Sequence, residues 1–374
     1  MSVIRCPGAA LRVFVVFVLL GALLGALLIS GTATGTIFGR QPVEGRSAAT
    51  PGFQPSAPYY ATFFYPWYRN AATDGTWAGS YWEDNGHAPP ANWFSRYLPD
   101  VDPTVFDPVT ELYSSTDDAI LYWQLSKLAE ARQEVAISSW WGQDHKTDSA
   151  LRHILDVMKR PGNPYPNLRW SIYYEKEGFG DPSVAEITGD LRYLAASLSS
   201  QPAYFRIDDK PVVFVYGDAT DGQATLDRWA RARAEAGVNI YLVLKVFPDY
   251  VLASSQPDSW HQYAPAVRTD RQSGHSMLVS PGFWKDGEAV RLPRDVDEFS
   301  RAVREMVVAP VQWKLTETWN EWGEGTSVEP GTDVNQTTSG PATIRTDAAE
   351  FGNRYVDVLA TWLPALERGT GARR

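Results

Sequence analysis

The chain has 374 residues, 44% of them hydrophobic, and a formal charge of −10 at pH 7. That apolar share builds a large core and excludes a chain disordered throughout, while an acidic surface repels phosphate backbones and argues against nucleic-acid binding. Cys6 is the single cysteine, which excludes intrachain disulfides and cysteine-based metal sites.

In chain order, the first element is the apolar run VFVVFVLLGALLGALLI at residues 13–29, preceded by Arg5 and Arg12. A run of this length behind positive residues predicts a signal anchor or signal peptide over residues 1–38. No clean small-x-small cleavage site follows it, so an uncleaved anchor is favoured. The positive-inside rule then keeps Arg5 and Arg12 in the cytoplasm and sends the body out. The expected location is the cell membrane with an extracytoplasmic body, or the exterior if the segment is cleaved. Residues 39–57, rich in Pro, Gly, Ser and Ala, read as a linker, and residues 58–368 as one catalytic domain.

That body alternates short apolar runs with helical patterns. Strands are predicted at 59–65, 135–139, 169–174, 211–216, 240–246, 263–267, 276–280 and 312–318. Helices are predicted at 117–132, 149–159, 183–198, 220–236, 296–308 and 348–366, with Asp117 and Ser183 placed as N-caps. This pattern predicts an α/β fold, a (β/α)8 TIM barrel. An open doubly wound sheet is the alternative, but no G-x-G-x-x-G follows the first strand.

In such a barrel the loops after the strand C-termini carry the chemistry. Here they read YPWYRN from Tyr65, DGTW ending at Trp77, SSWWGQDH through Trp140, Trp141 and His145, YYEKEG with Tyr174, Glu175 and Glu177, and TETWNEWGEGTSVEP from Thr316. The last puts Glu317, Glu321, Glu324 and Glu329 beside Trp319, Trp322 and two glycines. Carboxyls crowded among indoles are costly unless used or paired, and burial with mutual repulsion keeps one protonated. Acid/base work on a glycosidic bond needs that pairing. The 15 Trp and 18 Tyr suit sugar rings, whose C–H faces stack on aromatics. A solvated acidic loop is the bland reading, against which the Trp and Gly density speaks. With five histidines and no H-E-x-x-H, neither a metal nor another cofactor is expected.

WNEWGEGTSVEP (319–330) resembles the catalytic loop of the glycoside hydrolase family 99 endo-α-mannosidases and their family 71/99-like relatives. FFYPWY (63–68), DGTW, GHAPP (86–90) and ISSWWG (137–142) resemble other segments of that group. The resemblance implies that Glu321 and Glu324 are the catalytic pair. Glu321 deprotonates the substrate 2-hydroxyl, which attacks C1 to form a 1,2-anhydro sugar; Glu324 protonates the leaving oxygen and then activates water, with net retention. Substrate contacts are expected from Tyr65, Trp67, Tyr68, Trp77, His87, Trp140, Trp141, Tyr174, Glu175, Asn320 and Trp322. Glu175 could instead partner Glu321 across the mouth, as in ordinary retaining pairs. The expected partner is an α-linked poly- or oligosaccharide, α-mannan or a relative. The competing function is an inactive glycan-binding or polysaccharide-assembly protein on the same barrel.

Overall fold

Eight short runs of β-branched and aromatic residues form parallel strands buried on both faces: β1 (Tyr59–Phe64), β2 (Val135–Trp140), β3 (Arg169–Tyr174), β4 (Lys210–Val215), β5 (Tyr241–Lys245), β6 (Ser259–His261), β7 (Ser276–Val279) and β8 (Trp313–Thr316). The computed structural model describes residues 53–75, 97–99, 113–218, 220–283, 289–335, 343–344 and 352–365, all within the unit Ala49–Arg374. The apolar segment 1–38, most of the linker, Trp77 and His87 lie outside the described residues. Among the described residues no helix is long and apolar enough to cross a membrane.

The ladder runs β6-β5-β4-β3-β2-β1-β8-β7. Because β1 pairs in parallel with both β2 and β8, Ala61 standing opposite Val135 and Leu315, first and last strands meet. The sheet therefore rolls into a nearly closed barrel and is not an open doubly wound sheet. Side chains alternate across each strand. Tyr59, Ala61 and Phe63 of β1 join Val135, Ile137, Tyr173, Phe214, Trp313 and Leu315 inside the bore. Tyr60 and Phe64 instead join the layer beneath the helices.

The outer helices are α1 (Asp118–Glu130), α2 (Lys146–Met158), α3 (Val184–Tyr193), α4 (Gln223–Ala236), α5 (Val296–Val308) and α6 (Arg354–Trp362). Asp117 caps α1, accepting from the Ala119 and Ile120 N–H groups at 2.8 and 3.1 Å. Ser183 and Glu186 close a reciprocal capping box on α3, and Asp295 caps α5. Each such cap contributes about 1 kcal/mol. The ring is incomplete between β5 and β7: only the turn Tyr250–Leu252 and the strand Thr269–Gln272 stand where helices would.

One strand differs from expectation. The sixth lies at Ser259–His261, not 263–267, with Val243 opposite Ser259. Pro265 sits inside the expected run and has no N–H to give a central ladder. The last helix is shorter than predicted, ending at Trp362 just before Pro364.

Candidate active site

Strand alternation decides which residues look into the barrel mouth. Continuing the inward set one step past each strand brings up Tyr65 (after β1), Ser139 (on β2), Glu175 (after β3), Tyr216, Lys245 (on β5), Tyr263 and Glu317 (after β8). The contacts agree. Tyr65 and Tyr263 share a hydroxyl–hydroxyl bond of 3.0 Å. The Tyr173 ring lies 5.7 Å from Tyr216 and 6.1 Å from Tyr263. Trp67 Nε1 donates to Ser139 Oγ at 2.9 Å, and Ser139 also hydrogen-bonds Glu175.

Glu321 and Glu324 stand on and beside the single 3-10 turn Trp322–Glu324 that follows β8. Thr318 Oγ1 accepts from the Glu321 N–H at 3.0 Å and starts the turn. Gly325 ends it at φ 62°, a left-handed conformation that favours glycine. The Arg294 guanidinium clamps the far side, donating to the carbonyls of Gly325 and Ser327 at 2.8 Å each. Glu321 is 2% exposed; Glu324 is half-buried and so faces the opening.

These carboxyls share a field. Burial pushes the Glu175 carboxyl up to about 8; the Ser139 hydrogen bond opposes the shift, and the nearby Glu324 adds to it. Glu317, fully buried, is driven well above the usual carboxylate range by burial and then by Glu324. Burial also raises the Tyr65 phenol, with Glu175 and Glu321 adding. Tyr65 thus lies within the field of both walls. With a value of about 8, Glu175 is a neutral acid at neutral pH, able to donate a hydrogen bond to a sugar hydroxyl. Burial lowers Lys245, while Asp221, Asp218 and Glu317 oppose that.

Several residues expected against substrate serve the scaffold. Asn320 is fully buried: its Oδ1 accepts from the Tyr65 N–H at 2.7 Å, and its Nδ2 donates to Tyr65 O and Tyr113 Oη. It clasps the β8 loop to the end of β1. Tyr68 donates to the Asn320 carbonyl at 2.7 Å. Trp322, 1% exposed, donates to Glu329 at 2.8 Å. Trp140 and Tyr174 have outward parity and face the helices, binding Asp148 at 2.9 Å and Asp190 at 2.8 Å. His145 caps α2. Tyr65, Trp67, Trp141 and Glu175 remain at the mouth, with Glu321 and Glu324. Glu317, Tyr216, Tyr263, Ser139 and Lys245 join them; the strand parity that finds them is legible in the sequence. One further acidic group converges, Glu177 with Asp181 and Asp221, but Arg228 bridges Glu177 and Asp181 and supplies the positive charge there.

Residues 55–240 match the family model of glycosyl hydrolase family 99, a stretch that ends before the β8 loop. Among solved structures, the GH99 endo-α-mannosidase of Bacteroides thetaiotaomicron in complex with bis-tris-propane has a TM-score of 0.61 at 19% identity, over 83% of this chain and 97% of that one. Another structure of that organism's GH99 endo-α-mannosidase gives 0.56 at 17%, over 83% and 97%. A glycoside hydrolase-like protein gives 0.53 at 13%, over 85% and 97%. No curated protein matches the sequence. The solved structures carry the (β/α)8 fold, and the match over residues 55–240 bears out the resemblance read from the motifs: the chain is a glycosidase similar to family 99.

Proposed function

We propose that this family 99-type glycosidase hydrolyses α-linked mannan-type glycans with retention, through a 1,2-anhydro sugar formed by Glu321 and Glu324. The observation that carries it is that both acids come from one short turn after β8, so they reach the same sugar from one side. A conventional retaining pair flanks the bond from opposite walls, about 5–5.5 Å apart. Glu175, the residue across the mouth, is held neutral to about pH 8 by burial and is a poor anionic nucleophile at neutral pH.

In the first step Glu321 takes the proton of the 2-hydroxyl, O2 bonds to C1, and the C1–leaving-oxygen bond breaks as Glu324 gives that oxygen its proton. In the second, Glu324 as carboxylate takes a proton from water, the water oxygen bonds to C1, and the C1–O2 bond opens. O2 recovers its proton from Glu321. Two inversions leave the configuration retained. Neutral Glu175 supplies a donor in a low-dielectric bore, where hydrogen bonds to the sugar count for more than in water. Hydrolysis of an α-mannan and α-glucan panel, with NMR of the first-formed anomer, tests this. Release of the retained anomer from an α-mannan is expected; first release of the inverted anomer, or cleavage of glucans alone, contradicts it.

The apolar segment at residues 13–29 supports an extracytoplasmic site of action. Full-length protein is expected with membranes, and a chain starting near Pro58 in the soluble fraction. Recovery of a native form cleaved near residues 30–35 would mark a signal peptide instead.

A further inference from the structure

We propose that Phe179 and Trp141 form an outer sugar-binding platform, over which a multi-residue α-linked glycan runs out of the carboxyl site. The proposal rests on the glycosidase reading above. Phe179 is 66% exposed although it is large and apolar. A single exposed apolar side chain is ordinary by itself; its surroundings set this one apart.

The turn that carries it, Lys176–Phe179, is pinned on each flank. Lys176 Nζ donates to Asp190 at 2.9 Å. Buried Glu177 accepts from Trp229 Nε1 at 2.7 Å and from Arg228, and Arg228 also holds Asp181 at 3.1 Å. Gly178 lies so close to Tyr216 that a Cβ there would stand 2.3 Å from its ring. A turn fixed this way displays Phe179 outward at no further cost in chain entropy, the preorganisation a binding surface needs.

The ring is also continuous with the site. Phe179 packs 4.8 Å from Trp141 and 5.8 Å from Tyr216. Tyr216 is 5.9 Å from Tyr263, whose hydroxyl meets Tyr65 beside the carboxyls. An unbroken aromatic path therefore leads from the reacting centre to the rim on the β2–β3 side. Apolar ring faces suit the C–H faces of sugars that are bound without being cleaved. The platform makes substrate length a determinant of affinity.

The test is calorimetric binding to a Glu324→Gln background, using α-manno- and α-gluco-oligosaccharides from disaccharide to pentasaccharide. With Phe179 intact, affinity is expected to rise with length in one series. Phe179→Ala should weaken the longer ligands of that series roughly three- to tenfold and the disaccharide less than about twofold, and Phe179→Trp should restore the gain. Affinity that does not depend on length with Phe179 intact, or a Phe179→Ala loss equal at every length or absent, overturns the platform. A glycosyl adduct on Glu321 would overturn the 2-hydroxyl route and leave this length dependence standing, so the two readings fail separately.

Discussion

Glu317 and Glu329 bracket the loop after β8, and both are fully buried. Glu329 accepts hydrogen bonds from Tyr113 Oη at 3.0 Å, Gln124 Nε2 at 2.7 Å and Trp322 Nε1 at 2.8 Å. Burial raises it to about 7, and those donors restrain the rise. For Glu317, burial and the nearby Glu324 drive the upward shift, and the Ala264 N–H and Lys245 moderate it. The acidic cluster in the sequence thus divides into an anchor that fixes the loop, Glu329, and acids that line the mouth of the bore.

Breaking the bore side should show in catalysis and leave the fold intact. Glu324→Gln is expected to lower kcat/KM, which reports the first step, by about 10²–10⁴-fold for glycans with poor leaving groups and much less for activated aryl glycosides, because those need little acid assistance. Equal loss on both substrates removes the acid role. Breaking the anchor should show in the fold first. Glu329→Ala leaves buried donors orphaned, at roughly 1–3 kcal/mol for each one unsatisfied. Denaturant unfolding should register this with Glu321 and Glu324 untouched; unchanged stability contradicts the anchor role.

Glu175→Gln sharpens the contrast on pH. The folded-state value of about 8 lies above the ordinary 4.5, so the native state binds the proton more tightly than the unfolded chain. Stability linked to Glu175 is then complete below about 4.5 and is lost as pH climbs through about 8. Glutamine is neutral throughout, so the variant's melting temperature should exceed the parent's by a margin that widens from pH 5 to pH 8.5. A margin constant with pH shows that Glu175 is ionised in the fold. Because glutamine mimics a neutral acid, turnover at neutral pH should fall less than about tenfold; complete loss would favour Glu175 as a nucleophile.

Most of the fold was legible because parallel strands buried on both faces leave apolar runs, and caps such as Asp117 and Ser183 mark helix starts. The sixth strand was not, because Ser259–His261 is short and only partly apolar, whereas the run around Pro265 looked more strand-like. In the site, the motif isolated the β8 loop, but motif membership does not give direction. Trp140 and Tyr174 sit in the expected strand ends yet point to the helices, while their neighbours Ser139 and Glu175 point inward. Counting alternation from Ile137 or Tyr173 separates them. The clasp roles of Asn320, Tyr68 and Trp322 depend on partners distant in sequence, such as Tyr65 and Tyr113, and no local pattern announces those.

The role of Glu321 as a base towards the substrate's own 2-hydroxyl is the central claim, and a substrate lacking that hydroxyl tests it most directly. Intact-protein mass spectrometry after incubation with an activated 2-fluoro α-glycoside is expected to show unmodified enzyme and no turnover, since no internal nucleophile remains. A stable glycosyl adduct mapped to Glu321 or Glu175 would contradict the account and establish a conventional double displacement.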